Sequence, residues 1–402
     1  MNYSIIPKNN FNTNISLNLT TEDIKPYISY SLFFYLNDIY KQLFKLDTNT
    51  NLNKEQNIND ININDININE LNINELNIEL EYINKIVNPF EFIHSNVPGS
   101  ILSVSKVKPD ANIFFELIEI FQLCNLHDFI ITKNRINIAH LTPNYTSTNY
   151  ILNMLREENN DYIITEDFDY TQLYNMFITN KFEKKLDLII CEFKQYDYND
   201  KKKYILNMLL VLIIIIKYQS NNGTCIIKID NLFYKGIIDI LLLLSSFYDK
   251  VIIVKPIISN ITKGERYIVC KTFNYNTLEH VNITNQLEEQ IIPKINNIEL
   301  LSDKYIVSLI NEDIPYHFLN KLEESNAIIG QQQLEAYDLM INIFKNKNRD
   351  EKIDILKRHN IQKCIQWCEK NQLPHNKFID KVNIFLTPKK NEIEYDLKDE
   401  NT

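Results

Sequence analysis

Three charged residues stand where buried strands should begin or end. Lys228 leaves the apolar run that starts at Cys225, Glu192 closes the run over 186–191, and Glu265 opens the run that continues from Tyr267 to Phe273. Ligands of open α/β sheets collect outside the carboxyl ends of strands. Packing alone does not explain a lysine and an acidic residue at such places, and Lys228 and Glu265 are the two clearest cases. Each residue also has a plainer reading: Lys228 as a strand-end lysine snorkelling to solvent, Glu265 as a solvated loop charge, and Glu192 as a cap for the helix that follows.

The elements that must position these charges are clearest over residues 223–273. The pattern predicts strands at 225–229, 250–255 and 267–273, with an apolar helix at 237–247. The strands are short, continuous β-branched runs, as expected of strands covered on both faces. Upstream, Lys108, Pro109 and Asp110 signal the start of a helix over 111–123. Its Ile113, Phe114, Leu117, Ile120 and Phe121 share one face. Strands then alternate with helices: strand 136–141, helix 148–156, strand 162–165, helix 170–182, strand 186–191 and helix 201–218. That alternation predicts an α/β sandwich with a mostly parallel sheet.

Around this domain, taken as 88–275, lie a helical N-terminal segment at 1–47 and a helical C-terminal extension at 276–402. Helices are expected at 278–291, 303–311, 331–345, 351–358 and 361–370. Residues 48–81 repeat a five-residue Asn/Ile-rich unit. A solenoid usually needs repeats of roughly 20 to 50 residues, so this reads as a low-complexity insertion that turns helical towards 79–86.

The composition narrows the class. With 402 residues, 45% of them hydrophobic, the chain can fill a sizeable core, and its net charge of −10 argues against a broadly basic nucleic-acid coat. Six scattered cysteines suit reduced, buried thiols in an intracellular protein. The N-terminus lacks a basic region followed by an apolar core, so the protein is expected not to be secreted. The apolar run at 204–216 contains Asn207 and falls short of the roughly 20 residues of a bilayer span. A buried helix is expected there, and no membrane association.

Other chemistry-bearing residues carry weaker signals. Cys364, Cys368 and His375 would be three metal ligands without a fourth; a packed helix carrying Trp367 is preferred, and no metal is expected. His140 reads as structural. Lys201, Lys202 and Lys203 open a helix, either as a solvated face or as a surface for RNA phosphates.

Taken together, Gly223 through Lys228, then Val254, Lys255, Pro256, Ser259 and Glu265 through Cys270, resemble the FtsJ-like RNA 2'-O-methyltransferase family, in its divergent large-DNA-virus form. The close match covers about 50 residues, and the order of elements extends it back to Asn88. The resemblance implies a Rossmann-like methyltransferase fold and a Lys-Asp-Lys-Glu tetrad beside S-adenosylmethionine. Lys228 matches the second lysine, the base for the ribose 2'-hydroxyl, and Glu265 matches the glutamate. Glu192 stands at the aspartate's position.

Two departures accompany the match. The first lysine's position holds Glu116, with Lys106 or Lys108 as possible substitutes. The cofactor loop, Gly-rich in the family, here contains Thr142, Pro143 and Asn144 after the first strand, and the acidic Glu166 and Asp167 follow the second strand as candidate ribose contacts. The implied function is S-adenosylmethionine-dependent 2'-O-methylation of RNA, at the cap of mRNA. The alternative is a catalytically inactive relative serving as an RNA-binding or partner-binding subunit. The implied location is the cytoplasm of a host cell, or a virion.

Overall fold

A computed structural model describes residues 2–9, 14–52, 78–97, 100–109, 112–131, 133, 135–141, 146–156, 162–165, 185–193, 200–274, 278–287, 289, 292–295, 304–346 and 349–376. The strands are β1 (Asn2–Ile6), β2 (Ile15–Thr20), β3 (Asn137–Leu141), β4 (Tyr162–Thr165), β5 (Leu186–Cys191), β6 (Gln219–Ile229), β7 (Tyr248–Lys255), β8 (Arg266–Phe273) and β9 (Tyr305–Ile310). The helices are α1 (Tyr30–Leu52), α2 (Ile78–Val87), α3 (Ile113–Leu123), α4 (His127–Ile131), α5 (Thr146–Leu155), α6 (Lys201–Tyr218), α7 (Lys235–Phe247), α8 (Leu278–Gln286), α9 (Ile292–Ile295), α10 (Tyr316–Lys345) and α11 (Arg349–Lys370).

Seven strands form one sheet in the order β1-β7-β8-β6-β5-β3-β4, while β2 and β9 pair separately. The sheet is mixed, which corrects the expectation of a mostly parallel one. Neighbours β3–β4, β3–β5 and β5–β6 are parallel, whereas β6–β8, β7–β8 and β1–β7 are antiparallel. The physical reason lies in the connections. A loop of ten residues joins β7 to β8, too short for the crossover that a parallel neighbour requires. The edge strand β1 comes from the N-terminus, outside the strand–helix alternation.

Both sheet faces are covered, and the side-chain period of two explains the continuous apolar runs. Cys225 and Ile227 face one core with α6 and α7, while Ile226 faces the other with α3 and α11. Along β8, Ile268 and Cys270 face the first core, Tyr267 and Val269 the second. Lys228 shares the parity of Ile226, so it emerges on the side of α3. That helix is buried all round, from Ile113 to Phe121, and its two glutamates therefore lie inside the protein.

The flanking segments differ from a helical lead and a helical tail. The first residues supply β1, which pairs with β7, and β2, which pairs with β9. Residues 303–311, expected as a helix, contain β9 instead; a six-residue run that is apolar except for Ser308 fits either state until a partner strand decides. The helices expected at 351–358 and 361–370 are one, α11, and α10 begins fifteen residues before the expected 331. Helix α2 matches the helix expected towards 79–86, while most of the repeat and the helix expected at 170–182 lie outside the described residues. Among the described residues, no helix is long and apolar enough to cross a membrane.

Candidate active site

At the carboxyl end of β6 the structure brings Lys228, Glu192 and Glu265 together. Parallel pairing sets Cys191 of β5 beside Ile227, so that Glu192 follows directly alongside Lys228. Antiparallel pairing sets Lys228 opposite Tyr267, with Glu265 two residues earlier. The Lys228 ammonium lies 3.6 Å from Glu192 Oε1 and 3.3 Å from Glu265 Oε2. Its shortest contact is to Glu116 Oε2 of α3, at 2.9 Å. Lys228 is 8% exposed, which excludes a strand-end lysine reaching into solvent.

Glu116 is fastened from several sides. The Ser259 hydroxyl donates to its Oε1 at 2.7 Å, and the Tyr267 hydroxyl donates to the Oε2 that also receives Lys228. Burial raises the Glu116 carboxyl, but Lys228 and these two hydroxyl donors outweigh it, and the pKa lies below the usual range. For Glu265, burial is outweighed by Lys228, Lys263 and Lys255, which hold it at about 2. Burial pulls Lys228 down, yet Glu116, Tyr267, Glu265 and Glu192 together drive it well above an ordinary lysine. The low-pKa amine that a base requires is therefore not what this centre provides.

The loop that delivers Glu265 is built around a second buried lysine. Lys255 Nζ donates to the carbonyls of Asn260 at 3.1 Å, Lys263 at 2.7 Å and Glu265 at 2.9 Å. Burial draws this lysine down to about 7. Helix α3 anchors the start of the same loop, since Glu119 accepts the Ile257 N–H at 3.0 Å. Helix α10 braces its far side: Gln333 and the Tyr337 hydroxyl both donate to the Thr262 carbonyl, and Arg266 reaches Asn326. Gly264 permits the close crossing before Glu265, because a Cβ there would lie 2.9 Å from the Asp230 backbone oxygen.

The remaining sequence candidates fall elsewhere. Thr142, Pro143, Asn144, Glu166 and Asp167 lie outside the described residues, in the segments after β3 and β4. Lys106 and Lys108 are exposed on the segment before α3, and the place facing Lys228 is filled by Glu116. His140 is fully buried on β3. Lys201 pairs with Asp23 at 2.8 Å, and Lys202 lies over the Tyr305 ring. Cys364 and Cys368 are buried on α11, and the His375 ring points towards Glu369. Among the described residues no group of side chains is arranged to hold a metal ion. Sequence reasoning placed Glu116 at the tetrad but missed its role as the nearest partner of Lys228. The available signal was two glutamates three residues apart within an otherwise apolar helix, where both cannot reach solvent.

No family model matches the chain. The cap-specific mRNA (nucleoside-2'-O-)-methyltransferase 1 of Dictyostelium discoideum is 26% identical over 218 residues. The likeness is distant. It covers 53% of this chain and 26% of that protein, so the chain spans about a quarter of the length of the curated relative it matches. A solved ribosomal RNA methyltransferase from Plasmodium falciparum overlays 40% of this chain and 97% of its own, with TM-score 0.31 and 17% identity. Phosphoethanolamine N-methyltransferase 2 of Haemonchus contortus overlays 41% of this chain and 38% of its own, with TM-score 0.24 and 12% identity. At such scores the strand order, not the superposition, describes the fold.

Proposed function

We propose that this chain is a methyltransferase-like protein of the RNA ribose 2'-O type, using S-adenosylmethionine and acting on the capped end of mRNA. The observation that carries this reading is the meeting of Lys228, Glu192 and Glu265 in one centre at the carboxyl end of β6. The sequence likeness to a cap-specific mRNA methyltransferase supports RNA as the substrate class. That relative is cellular, so the viral form of the family rests on residues 223–273 alone.

Of the three carboxylates that face Lys228, Glu265 also pairs with Lys263, so these five groups together carry one negative charge in excess, which favours a cation such as a sulfonium. When bound, the cofactor supplies an activated methyl group. Thr142, Pro143, Asn144, Glu166 and Asp167 are the residues we assign to hold it, beyond the first two strands of the alternating pattern. Lys228, Glu192 and Glu265 orient the ribose hydroxyl, and the buried floor formed by Tyr267 and Glu116 excludes water.

A second reading, a non-catalytic RNA-binding or partner-binding subunit of this fold, is favoured by one observation. Glu116 stands where the resemblance calls for a lysine. Calorimetric titration with S-adenosylmethionine and with its demethylated product separates the two, because the enzyme reading requires binding and is lost if none occurs at millimolar ligand. Methyl transfer to capped RNA by the wild type should then exceed that of Lys228→Ala, compared at matched folded fractions; equal rates would remove Lys228 from the mechanism.

A further inference from the structure

The three carboxylates around Lys228 are not equivalent. Glu116 has both oxygens engaged, by Ser259 on one and by Lys228 and Tyr267 on the other, and its side chain is 8% exposed. Glu265 divides its oxygens between two cations, Lys228 at 3.3 Å and Lys263 at 3.2 Å. Glu192 is the farthest from Lys228, at 3.6 Å, and its side chain is the most exposed of the three at 17%. Of the three, Glu192 therefore offers the most surface to a ligand.

Resting on the methylation reading, we propose that acid and base roles are inverted here: Glu116 locks Lys228 as a fixed ammonium, and Glu192 is the group that takes the proton of the attacking hydroxyl. Lys228 is then a donor that steadies negative charge developing on the 2'-oxygen, and Glu116 is a positioning residue acting through it. In the step itself the 2'-oxygen forms its bond to the methyl carbon. The carbon–sulfur bond of the sulfonium breaks and leaves its electron pair on sulfur. The hydroxyl proton passes to the Glu192 carboxylate, so the cofactor's positive charge and the carboxylate's negative charge cancel and no further reactant is needed.

The charges around Lys228 come from every side of the site. Glu116 projects from α3, with His94 nearby; Glu192 follows β5; Glu265 and Tyr267 belong to β8 and its approach; and Lys255 and Lys263 belong to the β7–β8 connection. Glu116 is the nearest of the three carboxylates, and hydroxyl donors fix both of its oxygens. It also occupies the position at which a lysine would have the opposite effect on Lys228.

The lock is tested without any turnover, by trace acetylation of the full chain with acetic anhydride across the alkaline range, reading the Lys228 yield by mass spectrometry. The expected midpoint for Lys228 lies above the ordinary lysine value of about 10.4, and in Glu116→Gln it falls by at least about one pH unit. Glu116→Asp should restore most of the difference. A wild-type midpoint near neutrality, or one that Glu116→Gln leaves in place while its thermal melt is intact, overturns the lock.

Methyl transfer to capped RNA tests the proton acceptor. Glu192→Gln should lose about 100-fold in kcat with little change in KM for RNA, while Lys228→Arg keeps about a tenth of the rate or more. Full activity in Glu192→Gln overturns its role. A wild type that transfers no methyl group at all overturns that role together with the methylation reading, and the acetylation result still decides the lock.

Discussion

Two lysines lie buried at the carboxyl ends of parallel strands, and their surroundings pull them in opposite directions. Lys228 at the end of β6 faces three carboxylates and is held charged, well above an ordinary lysine. Lys255 at the end of β7 faces three backbone carbonyls and is drawn down to about 7. Both bear the desolvation that disfavours a buried charge. What differs is the oxygen they meet, since a carboxylate brings a full opposing charge and a carbonyl only a dipole. Burial alone therefore does not make a lysine a base; its neighbours decide.

Removing the cation from the carboxylates should have the largest effect. Lys228→Met takes away the cation that Glu116, Glu192 and Glu265 share and leaves their charges crowded, and should cost about 3–5 kcal/mol near neutral pH by urea denaturation. The variant's carboxyls then have folded pKa values raised by burial and mutual repulsion. The native state binds more protons than the unfolded chain, so the variant should regain stability as pH falls towards about 5. A loss below about 1 kcal/mol would mean that the cluster is solvated and that charge pairing does not set it apart.

The same centre makes a prediction for the wild type in acid. Glu265 has a folded pKa of about 2 against an ordinary value of 4.5. The unfolded chain takes up its proton first, so this contribution is present above about pH 4.5 and is lost as pH falls to about 2. At about 1.4 kcal/mol per pH unit it amounts to about 3 kcal/mol. Melts across this range should show the limb, and Glu265→Gln should flatten it; an unchanged limb in that variant would assign it to other carboxylates.

These expectations rest on features that differ in how far the sequence shows them. Strands β5 to β8 were legible because each is a short β-branched run bounded by turn signals, and their ends marked Lys228, Glu192 and Glu265. Their convergence was not a matter of local pattern. It depends on the register that sets Cys191 beside Ile227 and Lys228 opposite Tyr267. The antiparallel half of the sheet was missed because strand direction is set by a connection's length and by which chain end supplies the edge. β1 and β9 were missed because a five- or six-residue segment acquires its state from a partner strand remote in sequence. Lys255 was visible only as part of a Lys-Pro match; the three carbonyls around it exist only once the loop has folded.

Lys255 offers a smaller effect of opposite sign. Lys255→Met strands the carbonyls of Asn260, Lys263 and Glu265 and should cost about 2 kcal/mol, with faster amide exchange over 257–264. Its folded pKa of about 7 lies below the ordinary 10.5. Between those values the unfolded chain binds more protons than the native one, so wild-type stability should carry a contribution that rises with pH across that window. The methionine variant should lack it. If the wild type and variant change in parallel from neutral to alkaline pH, Lys255 is charged in the fold and the contrast with Lys228 disappears.

The smallest effect belongs to a lysine left in water. Lys8 lies 3.0 Å from Asp249, but the two side chains are 40% and 53% exposed. Water screens their attraction, and two long side chains lose freedom to hold it, so Lys8→Ala should change stability by no more than about 0.5 kcal/mol. Added salt should erase even that difference. Strand β1 would stay in place, because its pairing from Asn2 to Ile6 and the bond from Asn9 to Ser246 do not use the charge. A distance nearly equal to that between Lys228 and Glu116 would then give an effect several-fold smaller, which isolates exclusion of water as the variable. Should Lys8→Ala cost as much as Lys228→Met, proximity alone would set the strength of a lysine–carboxylate pair, and the burial of the Lys228 centre would no longer explain its fixed charge.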